Sequence, residues 1–129
     1  MTEEGTVSAP NESGPLGDGP VPTLARIVER NQVWPLMAAK YGVENLVPPW
    51  KTSLDGFCDA LDQASCEAKV PDFKQRRDEE DLLSATVYAE LPYPENQLVA
   101  LAHSLLARGV ITEAELQERL AVVRRRLEA

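Results

Sequence analysis

Few side chains in this sequence are of a type and spacing that could do chemistry. His103 is the only histidine, and acid–base work near neutral pH would draw on it first. At helical spacing its neighbours are Val99, Ala100, Leu106 and Ala107. The sequence fixes no nucleophile and no orienting carboxylate beside it, so a structural or surface histidine is expected. Cys58 and Cys66 are the two cysteines. They form no Cys-x-x-Cys pair, which argues against a zinc site and against a disulfide framework. Cys58 shares an apolar helix face with Leu54 and Leu61 and reads as a small buried hydrophobe. No Walker loop, no GxGxxG turn after a strand and no Ser-His-Asp arrangement is visible.

Two other places hold more. The run Lys74-Gln75-Arg76-Arg77-Asp78-Glu79-Glu80-Asp81 is dense in charge. Its plain reading is a solvated helix face laced by i, i+4 pairs. The alternative is an arginine turned to an oxyanion on a partner, because a planar guanidinium offers two parallel donors to one charged group. Tyr93 stands between two prolines in Leu91-Pro92-Tyr93-Pro94. These restrict the backbone and aim the ring at the start of a helix. It is either a packing or surface tyrosine, or a phenol fixed beside a partner's site.

The elements that must position these groups read as helices. Thr23 is a candidate cap for a short helix with Leu24, Ile27 and Val28 on one face. Trp34, Met37, Ala38 and Tyr41 repeat that spacing, and Gly42 suits a C-terminal cap. Pro48-Pro49 breaks the chain, and Trp50 opens a third helix carrying Leu54, Phe57, Cys58 and Leu61. Asp72 is expected to cap a segment that ends near Ala85 or Tyr88. Pro94 suits a first helical position, ahead of Leu98, Leu101, Ala102, Leu105 and Leu106. Gly109 fits a left-handed turn, and Thr112-Glu113-Ala114-Glu115 is a capping box. A last helix carries Leu116, Leu120, Val123 and Leu127, with Arg124, Arg125 and Arg126 opposing its dipole. The short link predicts an antiparallel helical hairpin. With no alternating strand pattern, the expected fold is all-α.

Residues 1–22 hold four acids, no base and many Gly, Pro and Ser. They read as an extended or disordered tail, possible wrapping for a partner, ahead of a helical domain over 23–129. The whole chain has 129 residues and a formal charge of −8, from 13 basic and 21 acidic side chains. That balance argues against nucleic acid and against an anionic membrane surface. No apolar run reaches a bilayer span and the N-terminus does not read as a secretory signal, so a cytoplasmic protein is expected. Aromatics are only 5%, so a core completed by another subunit is expected.

Residues 48–127 resemble the helical portion of nitrile hydratase β subunits, and still more the short separate β subunit of thiocyanate hydrolase. The resemblance rests on Pro92-Tyr93, the helix Leu98–Arg108, the link Gly109-Val110-Ile111-Thr112, and Glu115-Leu116 with Arg119. Upstream, Trp50 opens a helix, and Arg77 stands about sixteen residues before the tyrosine.

The resemblance implies a subunit that binds no metal or other cofactor. A low-spin Co(III) or non-haem Fe(III) would sit in a partner α-type subunit, whose cysteine-rich claw carries two oxidised thiols. This chain would donate an arginine to those sulfur acids and a tyrosine to the substrate side. By position these are Arg77 and Tyr93, with Arg76 or even Lys74 as alternatives to Arg77. The implied reaction is hydration of a nitrile to an amide, or the matching attack on thiocyanate, by a complex in which this chain alone is inactive. A third small β-barrel subunit is implied, since this sequence holds no counterpart to the barrel of larger β subunits. Pro94 and Gln97 stand where the family carries further aromatics, so a different substrate pocket is implied. A nitrile hydratase accessory protein, acting as metallochaperone for the α subunit, resembles the same helical region and is the alternative in another class.

Overall fold

The computed structural model describes residues 19, 21–65 and 70–128. Within them lie six helices and no strand: α1 (Pro22–Glu29), α2 (Trp34–Tyr41), α3 (Lys51–Ala64), α4 (Phe73–Ala85), α5 (Glu95–Ala107) and α6 (Glu113–Glu128). The all-α expectation holds. None of these helices is long and apolar enough to cross a membrane. The proposed tail falls outside the described residues except for Gly19, Val21 and Pro22, and Cys66 lies outside them too.

α5 is the central element. Its Val99 and Ala100 join Leu24 of α1, Leu83 of α4 and Tyr88 in one buried cluster. Its Leu101 and Leu105 join Leu54 and Leu61 of α3 in a second. One helix therefore feeds two cores, which is why its sequence is apolar on more than one side. α4 packs along α5, and α1 lies against it. Leu98, expected on the buried stripe, is exposed, as is Phe57 of α3.

The helix ends follow local chemistry in four places. Asp72 accepts from the Gln75 amide at 2.9 Å while Gln75 Oε1 accepts from the Asp72 amide at 3.1 Å, closing a capping box on α4. Thr112 and Glu115 make the same reciprocal pair ahead of α6, at 3.1 and 2.8 Å. Gly42 and Gly109 take φ of 69° and 74°, the left-handed region open to glycine at helix ends. The fourth α helix stops at Ala85, the nearer of its two expected limits.

Two helix starts differ from expectation. Thr23 is not the cap of α1: Val21 holds that position and Pro22 is the first helical residue. The exposed N–H groups of α1 meet a carboxylate from the far end of the sequence. Glu113 accepts from the Thr23 amide at 2.9 Å and from its hydroxyl at 2.6 Å, and Gln117 donates to that hydroxyl at 2.9 Å. α2 has no side-chain cap of its own either, and the buried Glu95 accepts from its first amide, that of Trp34. Each carboxylate is the first residue of its own helix, so one side chain serves two positive helix ends. Pro94 is the cap of α5 rather than its first residue.

Candidate functional site

A groove of about 220 Å³ opens between α3, α4 and the start of α5, and both Arg76 and Arg77 line it. Asp72 sets the phase of α4 and so aims both guanidinium groups from its second turn. Their situations differ. The Arg76 side chain is 12% exposed and forms an ion pair with Asp62 of α3. Its guanidinium carbon lies 5.8 Å from the Phe73 ring centre, and its buried Nε has no hydrogen-bond partner. Arg77 is 65% exposed, and its nearest carboxylate is Asp81 at 3.8 Å, too long for a committed hydrogen bond. Lys74 points to solvent and pairs with Asp78 at 2.7 Å.

Carboxylates outnumber cations in this groove. Asp55, Asp59, Asp62 and Glu80 face Arg76 and Arg77. Burial pushes the Glu80 carboxyl up, against the pull of Arg77. Burial likewise pushes the Cys58 thiol up, with Arg76 opposing. Cys58 is half-buried beside Arg76 on the groove wall, packed against the second core cluster. The thiol form is the one this setting favours, so it is no ready nucleophile.

Tyr93 is 66% exposed and does not itself line the groove. Lys51 connects it to the groove. Its Nζ sits 5.4 Å from the Tyr93 ring centre, bonds Gln97 Oε1 at 3.2 Å and pairs with Asp55. Gln97 and Asp55 both line the groove. The Asp55 hydrogen bond is the main cause holding the Lys51 ammonium above its usual range, and Tyr93 adds to it. The structure thus brings together what lies far apart in sequence: two arginines of α4, a lysine and three acids of α3, and, through that lysine, the phenol ahead of α5.

His103 is not part of this arrangement. It is buried on α5, with Nδ1 2.7 Å from the Tyr88 hydroxyl and the two rings edge to face. Sequence reasoning did not foresee this pairing, or the buried ion pair of Glu79 with Arg108. The latter joins residues 29 positions apart, which no local pattern signals. Among the described residues, no group of three or more His, Cys, Asp and Glu is placed to hold a metal ion.

No family model, no curated protein and no solved structure matches this chain.

Proposed function

We propose that this chain is a β-type subunit of a multisubunit nitrile hydratase, completing an active site whose cobalt or iron belongs to a partner α-type subunit. The observation that carries the reading is the groove: an arginine with uncommitted donors, Arg77, lines it, and an exposed phenol, Tyr93, is tied to its lining residue Gln97 through Lys51.

The donor set fits an anionic sulfur acid. A guanidinium gives two parallel, charge-assisted hydrogen bonds to one oxyanion, and a phenol donates one more. Arg77 is the better donor of the two arginines, because Arg76 is tied to Asp62. Lewis-acid activation of the nitrile is what the partner's metal ion supplies. This chain's part is to hold the oxidised thiols around that ion, which tunes it from outside its ligand sphere.

The test is co-expression with the neighbouring reading frames, purification on this chain, and assay with a nitrile and with thiocyanate. An equimolar, cobalt- or iron-containing complex that turns a nitrile into an amide supports the reading. Activity on thiocyanate alone places the chain with thiocyanate hydrolases. A chain that leaves once the α subunit is loaded is an accessory protein, and a pure helical monomer with no metal-bearing companion sinks the proposal.

A further inference from the structure

Another groove, of about 490 Å³, lies between α1 and α6. Arg26 and Arg30 stand on one wall, Arg124 and Arg125 on the other, and among the described residues Glu128 is the one acid lining it. No salt bridge among the described residues engages any of these four arginines. In a chain of net charge −8, four guanidinium groups around one opening are a local inversion of sign. The floor is apolar: Ile27 and Leu120 line it, and both are exposed. On α6, Leu116 packs against the first core cluster, while Leu120, Val123 and Leu127 continue its stripe at helical spacing and are exposed.

From this we infer that the α1–α6 groove is a docking site for an acidic amphipathic helix of a partner protein. The argument is charge complementarity together with periodicity. An apolar stripe repeating every three to four residues is matched by the stripe of another helix laid alongside it. Carboxylates flanking that stripe would reach the guanidinium groups on either wall as charge-assisted pairs. A second copy of this chain is the wrong occupant, because two-fold pairing would bring eight arginines together, four from each groove. A phosphodiester or lipid surface is disfavoured by the acidic remainder of the molecule. The inference stands apart from Arg77 and Tyr93 and does not depend on them.

The experiment uses the full chain and a fluorescein-labelled helical peptide of about 18 residues, with Leu at heptad a and d positions and Glu at e and g. The expected result is binding that weakens with salt, and at least about tenfold weaker binding of the counterpart with Lys in place of Glu. Arg124→Gln with Arg125→Gln, and separately Arg26→Gln with Arg30→Gln, should each reduce affinity about tenfold while circular dichroism stays unchanged. Equal binding of the two peptides, or unchanged affinity in both paired variants, overturns the inference. So does a native dimer that the Arg124/Arg125 variant dissolves, since a second copy would then be the occupant. A gain of more than about tenfold on changing Glu3, Glu4, Glu12 and Asp18 to their amides also overturns it, because the groove would then serve the chain's own acids.

Discussion

The Tyr88 hydroxyl lies 2.7 Å from Nδ1 of His103, and both side chains are buried where α5 meets the segment after α4. Burial pushes the Tyr88 phenol up to about 12, so at neutral pH it keeps its proton and its hydrogen bond with the ring nitrogen, whose direction follows the His103 tautomer. The sequence's only histidine therefore serves the core. Tyr88→Phe keeps the ring and removes one partner of a buried hydrogen bond, which costs about 1–3 kcal/mol. Urea unfolding measures this, and a variant as stable as the native chain would contradict it. The pH dependence follows from the raised value. The unfolded tyrosine ionises near its ordinary 10 and the folded one near 12. Stability from this group is thus complete below the first value and fades as pH rises towards the second. The native chain should lose stability more steeply than the phenylalanine variant across that window.

Glu79 and Arg108 form an ion pair that water scarcely reaches, joining α4 to the end of α5. Removing one partner leaves a buried charge, and Glu79→Ala is expected to cost about 3–5 kcal/mol. Replacing both, as Glu79→Leu with Arg108→Met, should cost far less, because the desolvation of both ions is removed with their attraction. Denaturant unfolding of both variants decides it. A double variant less stable than Glu79→Ala would mean that the pair is worth more than apolar packing here.

Arg76 and Arg77 are neighbours with opposite expected phenotypes. Arg77 is exposed and loosely paired, so Arg77→Ala should change stability by no more than about 0.5 kcal/mol. In an assembled enzyme, turnover should nevertheless fall at least about tenfold, about 1.4 kcal/mol of barrier. Arg76→Ala breaks the pair with Asp62 and opens the groove wall, so a stability loss of about 1–3 kcal/mol should appear first. Wild-type turnover in the Arg77 variant, measured on the purified complex, would remove the functional reading of its groove.

Much of the scaffold could be read along the chain because its signals are local. A capping box needs four consecutive residues, and those at Asp72 and Thr112 form as their sequence spells them. Gly42 and Gly109 mark helix ends for the same reason, a backbone angle that other residues resist. What escaped was non-local. The first helix borrows its capping carboxylate from a residue 90 positions away, and nothing near Thr23 announces that. Beyond Leu116, the stripe of α6 has helical spacing but stays exposed at Leu120, Val123 and Leu127, because periodicity reports which side is apolar and not what covers it. The candidate site was legible only as residue types. That Lys51 would join Tyr93 to the groove of Arg76 and Arg77 depends on how α3 meets α5.

The borrowed cap of α1 carries its own pH dependence. Glu113 takes two hydrogen bonds from Thr23, and these hold its carboxyl below the usual carboxylate range. The folded state therefore binds a proton there less readily than the unfolded chain. The stabilisation is complete above the ordinary value of 4.5 and fades as pH falls through the lowered one. The Thr23 amide resonance should titrate with a midpoint below 4.5 in the native chain. In Glu113→Gln the acceptor oxygen remains while the charge is lost, so that titration should vanish and α1 should stay docked. Glu113→Ala removes the acceptor as well, leaving the Thr23 amide and hydroxyl to compete for water. Amide hydrogen exchange in α1 should then rise above that of the glutamine variant, which in turn exceeds the native chain. A native midpoint at or above 4.5, or equal exchange in all three proteins, would show that Glu113 is not what holds the start of α1 to the start of α6.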